Sequence, residues 1–250
     1  MVTGLDVWQA HFQDFADRYV LIGGVACDVL MGDAGLPFRA TKDLDVVLLV
    51  ELLDAAFAEA FWAFVEAGGY EQKERGEGGK LYRFTRPATA GYPFMIELFS
   101  RAPDGFDLAE ASRLTPLPID ETVASLSAIL LDEAYYTLLK ENLRQVEGLP
   151  LLHEAAVIPF KARAYLDHSQ RRAAGDPVDS RDIRKHRGDV FRVLQLLPVG
   201  AMFVLPDTVL ADLRAFQAAV AADDSFNPRD LELRMSKGEA LDRLAAAYGL

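Results

Sequence analysis

A short apolar strand, Tyr19-Val20-Leu21-Ile22, runs into Gly23-Gly24, and apolar residues return at helical spacing in Val25, Val29 and Leu30. Strand, double glycine and helix, in that order, commit the stretch to a tight turn. Such a turn brings backbone N–H groups and a helix N-terminus up to an anion. Downstream, Asp43-Leu44-Asp45 opens a β-branched and aliphatic run through Val50, which reads as a strand entering a buried sheet. Residues two apart on a strand share a face, so Asp43 and Asp45 point one way and Leu44 the other.

Two carboxylates held that close repel each other unless a cation sits between them. A hard divalent ion such as Mg²⁺ takes oxygen ligands and commonly shares them with substrate phosphates. Gly23 and Gly24 are then placed to cradle a phosphate chain whose metal Asp43 and Asp45 hold. Taken singly, each motif has a plainer reading, a surface turn and a solvated strand end. Together they describe one triphosphate–metal site. A further acidic residue, Glu97, lies in the apolar strand Pro93-Phe94-Met95-Ile96-Glu97-Leu98-Phe99. Embedded there, it either faces solvent or meets a cation. Arg39, Thr41 and Lys42 precede the acidic strand and are candidates for the phosphates, Arg39 through its bidentate fork.

Gly23-Gly24-Val25-Ala26 followed by Thr41-Lys42-Asp43-Leu44-Asp45 resembles the signature of the DNA polymerase β-type nucleotidyltransferase superfamily, and within it the AbiEii/AbiGii-toxin-like nucleotidyltransferases. The resemblance implies an α/β (α+β) fold: a nucleotidyltransferase-type mixed sheet with flanking helices, followed by an α-helical C-terminal domain. It implies a Mg²⁺-bound NTP as substrate, an RNA acceptor such as a tRNA 3′ end, and a separately encoded antitoxin protein. It makes Asp43, Asp45 and Glu97 catalytic residues and metal ligands, with Glu97 as general base or ligand to a second ion. One departure is the interval of 18 residues from Val25 to Lys42. The excess falls in Gly32-Asp33-Ala34-Gly35-Leu36-Pro37, of loop composition, and reads as an insertion after the helix.

Further along, Ile158-Pro159-Phe160-Lys161-Ala162-Arg163-Ala164 resembles the family's lysine-bearing helix, and Asp179-Ser180-Arg181-Asp182-Ile183-Arg184-Lys185-His186 its later aspartate motif. In the resemblance Lys161 neutralises triphosphate charge, Asp182 orients Lys161 or contacts the nucleotide, and Lys185 is a weaker nucleotide-binding candidate. Asp182, Lys185, His186 and Asp189 share one helix face by spacing. A Lys161–Asp182 salt bridge without catalytic part is the alternative.

Formal charge is −12, which opposes nonspecific adhesion to nucleic acid. The segment 161–192 departs from that, carrying nine basic and five acidic residues. A local basic stripe of this kind suits a triphosphate or an RNA end. Cys27 is the sole cysteine, so an intrachain disulfide and a cysteine zinc site are excluded and a cytoplasmic setting is expected. No apolar run approaches the roughly 20 residues of a membrane span, and no secretory signal is expected. The four histidines show no metal-binding spacing, and no serine carries a triad pattern.

The pattern along the chain gives a helix over 5–17, a helix over 51–67 ended by Gly68-Gly69, and a hairpin of 70–75 with 81–85 around 76–79. A proline-punctuated connection over 101–118 separates a catalytic domain, 1–118, from a helical domain, 119–250. The latter reads as helices over 123–143, 153–172, 180–196, 207–221 and 228–248. The residues also leave open a small-molecule (antibiotic) adenylyltransferase and a nonenzymatic nucleotide- or RNA-binding module on the same fold.

Overall fold

A computed structural model describes residues 2–49, 52–72, 81–100 and 132–250. Two compact units result: the first takes in the N-terminal residues and returns for Leu143–Leu152, and the second comprises Leu131–Asn142 and His153–Leu250.

The first unit is a mixed sheet flanked by helices, as the resemblance implies. Its strands are β1 (Tyr19–Leu21), β2 (Asp43–Leu48), β3 (Glu71–Gln72), β4 (Leu81–Thr85), β5 (Met95–Ser100), β6 (Leu143–Val146) and β7 (Leu149–Leu152), in the order β3-β4-β5-β2-β1-β7-β6. At the centre β2 runs antiparallel to β1 and parallel to β5, in a register that sets Asp45 beside Glu97. Helices α1 (Leu5–Phe12) and α3 (Ala55–Gly68) cover one face with aromatic side chains. Trp8 meets Phe12 and Phe64 at centroid separations of 4.1 and 5.3 Å, and Phe61 reaches Phe84 of β4 at 5.3 Å. Leu44, Ile96 and Phe84 are buried on that face. By strand alternation Asp43, Asp45, Glu97 and Arg83 belong to the opposite face. Asp54 caps α3 by accepting from the Phe57 N–H at 2.9 Å, which starts that helix later than the apolar pattern suggests.

Two expectations need correction. Of the helix over 123–143, residues 123–131 lie outside the described residues and the rest forms α4 (Glu133–Glu141), after which the chain turns into the β6–β7 hairpin. This hairpin, placed by the sequence pattern among the helices, extends the sheet because β7 pairs in parallel with β1 at Leu21 and Leu151. Four-residue strands interrupted by Pro150 carry too little alternation to stand out. The helix over 228–248 is broken into a 3₁₀ turn, Pro228–Leu231, and α8 (Lys237–Tyr248). Glu232 takes a left-handed φ of 63° there, and Ser236 with Glu239 forms a capping box that restarts the helix. The domain boundary at 118, the hairpin turn 76–79 and the connection 101–118 lie outside the described residues.

The second unit is helical: α4, α5 (Glu154–Ala173), α6 (Ser180–Leu194), α7 (Asp207–Ala222) and α8. Its core sets Phe191 against Phe226 at 4.8 Å and Tyr165 against Phe216 at 5.2 Å. Tyr248, buried near the C-terminus, donates to the Ala155 carbonyl at 2.8 Å. Among the described residues no helix is long and apolar enough to cross a membrane.

Candidate active site

The glycine turn and the acidic strand meet directly. β1 ends at Leu21, the Ile22 N–H donates to the Asp45 carbonyl at 3.0 Å, and α2 (Gly23–Asp33) begins at once. No side chain of the N-cap residue, Ile22, serves the first turn of α2. The Asp45 carboxylate does so instead, its Oδ2 accepting from the Gly24 N–H at 3.3 Å. Placing a carboxylate at a helix N-terminus is electrostatically favourable.

Neither glycine leaves room for a Cβ. Gly23 has φ +65°, and a Cβ there would collide with the Asp45 carboxylate. A Cβ on Gly24 would lie 2.5 Å from the Thr41 hydroxyl oxygen and 3.7 Å from an Arg39 guanidinium nitrogen. Gly23, Gly24, Arg39, Thr41 and Asp45 are therefore one cluster. Lys42 stands apart from it. Its side chain is exposed, and Nζ sits 5.8 Å from the Phe94 ring centroid, because position 42 alternates with Asp43.

Asp43 and Asp45 are half-buried, and Glu97 is only 8% exposed. Glu97 Oε1 accepts from Arg83 Nε at 2.7 Å, and the second guanidinium nitrogen pairs with it as well. Burial raises the Glu97 pKa to about 8, with Asp45 adding to the rise, Arg83 opposing it and Asp43 contributing least. Arg83 was not picked out in the sequence. The only signal for it is the cross-strand register Arg83↔Glu97, which requires knowing how β4 pairs.

A divalent ion suits part of this donor set. Asp43 and Asp45 supply hard oxygens from one strand face, beside the N-terminus of α2. The three-carboxylate ligand set is not assembled. Among the described residues no three His, Cys, Asp or Glu side chains are grouped to hold a metal ion. Glu97 is turned to Arg83 instead.

Lys161, Asp182 and Lys185 belong to the second unit. Lys161 is 6% exposed on α5, and Nζ stands 3.1 Å from Oδ2 of Asp189, itself 0% exposed on α6. Asp189 also lies 3.7 Å from Arg192 Nη1. This corrects the expected pairing of Lys161 with Asp182, which approaches Lys185 at 4.0 Å. Both aspartates occupy the same helix face, but position 189 is followed by buried Val190 and Phe191 and so points inward. Asp179 caps α6, and its hydrogen bonds from Arg181 lower its pKa to about 2. His186 packs 4.9 Å from His168. Burial pushes the His186 imidazole well below its usual range, and Lys161 and His168 add to that.

No family model matches the chain, and the search of curated proteins finds no match. The solution structure of the antibiotic-resistance factor ANT(2'')-Ia is similar over 88% of this chain and 96% of its own, at 15% identity and a TM-score of 0.38. A likeness that loose says nothing about chemistry.

Proposed function

We propose that the chain is a Mg²⁺-dependent nucleotidyltransferase that moves an NMP from an NTP to a hydroxyl acceptor. The observation that carries this reading is the contact of the Gly24 N–H with Asp45, which makes the glycine turn and the acidic strand a single site. Bound between Asp43 and Asp45, Mg²⁺ would supply charge neutralisation for the phosphates. The remaining work falls to the chain's own groups. N–H groups at the start of α2 orient the phosphate tail, and Arg39, beside Gly24, offers a bidentate cation to it. Glu97 accepts the acceptor hydroxyl's proton in its ionised form, which Arg83 favours and burial beside Asp45 disfavours. The hydroxyl oxygen forms the new bond to the α-phosphorus, and pyrophosphate leaves. Positioning and charge neutralisation account for most of the acceleration.

For the acceptor we propose an RNA end, notably a tRNA 3′ end, in a toxin paired with an antitoxin protein. The support is the sequence resemblance and the basic character of residues 161–192. A nonenzymatic nucleotide binder is favoured by one feature, the engagement of Glu97 by Arg83.

Purified protein incubated with each labelled NTP, Mg²⁺ and total small RNA separates these readings. The transferase releases pyrophosphate and leaves a mass increment on RNA ends, and Asp43→Asn with Asp45→Asn abolishes both. Mg²⁺-dependent NTP binding without pyrophosphate release from any acceptor would establish the binder.

A further inference from the structure

A cavity lies within the first unit, on the flank of α2 away from its glycine end. It encloses about 490 Å³ and is walled by α1, the C-terminal half of α2, the segment after it and the β6–β7 turn. Volumes in this range accept small organic ligands. Leu5, Val29, Leu36 and Phe38 give it apolar surface, while Asp6, Asp28, Asp33 and Glu147 line it with carboxylates. None of the described lining residues is basic. Arg144, outside the lining, meets one of these carboxylates, Asp33, at 2.7 Å.

Three independent features favour the same kind of occupant. The apolar walls favour a hydrocarbon body. The formal charge of the lining favours a cation. The C-terminal end of α2, which the cavity adjoins at Gly32 and Asp33, contributes the negative pole of a helix dipole. The wall formed by Leu36, Pro37 and Phe38 belongs to the region that lengthens the interval between the glycine turn and Asp43. It continues into Arg39, whose guanidinium lies 5.1 Å from the Phe38 ring centroid.

We propose that this cavity binds a small organic cation with an apolar body, an alkyl- or arylammonium, at a site separate from the Gly23–Asp45 cluster. Its end groups meet the carboxylates and its hydrocarbon lies against Val29, Leu36 and Phe38. Binding requires no turnover, so it stands whether or not the chain transfers nucleotides.

The test is calorimetric titration of the full chain with hexylammonium, hexanol and hexanoate, three probes of one length and different charge. Hexylammonium is expected to saturate one site about tenfold or more tighter than hexanol, with no binding of hexanoate. Asp28→Asn with Glu147→Gln is expected to remove that preference for the cation. Gly32→Leu is expected to remove binding by filling the cavity, because a Cβ at Gly32 meets nothing within 4 Å and the variant should fold. Thermal unfolding checks that the variants are folded. Equal binding of the alcohol and the cation, no saturable cation binding, or unchanged binding in folded Gly32→Leu would each overturn the proposal.

Discussion

Asp45 and Glu97 are register partners on adjacent parallel strands, so one face of the sheet carries two carboxylates side by side, and Arg83 meets the second. The consequence is a titration. With a pKa of about 8, Glu97 keeps its proton in the folded chain where the unfolded chain, near the ordinary value, has lost it. The folded state therefore binds more protons between pH ~4.5 and ~8, and stability falls as pH rises across that window. The contribution is fully present below the ordinary value and gone above about pH 8. Glu97→Gln should show a flatter profile than the parent over the same window in urea-unfolding midpoints. Parallel profiles would show that Glu97 is ionised throughout.

Replacing Gly23 by alanine has two costs, a left-handed backbone and a Cβ driven into the Asp45 carboxylate. Destabilisation of about 1–3 kcal/mol is expected. Gly24→Ala collides chiefly with the Thr41 hydroxyl at 2.5 Å, its next neighbour being the Thr41 Cβ at 3.2 Å, so the pair Gly24→Ala and Thr41→Ala should recover most of what Gly24→Ala loses. Chemical denaturation of the three variants measures this. An unrescued double variant would mean that Gly24 is needed for something other than room.

Mg²⁺ binding to the folded state alone raises the unfolding midpoint by mass action. An ion at roughly one hundred times its Kd adds about 2.7 kcal/mol. The parent should gain stability with Mg²⁺ and lose that gain with EDTA, whereas Asp43→Asn with Asp45→Asn should respond to neither. A metal-dependent gain of the same size in that double variant would remove both aspartates from the ligand set.

How far the sequence could be read depended on the range of the interaction. Asp43 and Asp45 were legible because alternation along one strand is a local property, and so was the glycine turn beside them. Arg83 was not, since its bond to Glu97 exists only once β4 and β5 are in register. The β6–β7 hairpin was missed for a related reason. Its place in the sheet comes from β7 pairing with β1, more than a hundred residues earlier in sequence. On α6 the helical period put Asp182 and Asp189 on one face and gave no means of choosing between them. Burial made the choice, and burial is a property of the packed helices rather than of spacing.

That choice is itself testable. Removing one member of a buried ion pair typically costs about 3–5 kcal/mol, because the other charge stays in a dry site, while replacing both by apolar groups is far better tolerated. Lys161→Met and Asp189→Leu should each destabilise strongly, and together less than their sum, with a coupling measured by a double-mutant cycle in urea. Lys161→Met with Asp182→Leu should be additive, since Asp182 lies beside Lys185 at 4.0 Å while Lys161 meets Asp189 at 3.1 Å. If Lys161 has the phosphate-neutralising role that the family resemblance implies, the Lys161→Met, Asp189→Leu pair will restore stability without restoring turnover. Recovery of both together would leave Lys161 with a structural role alone.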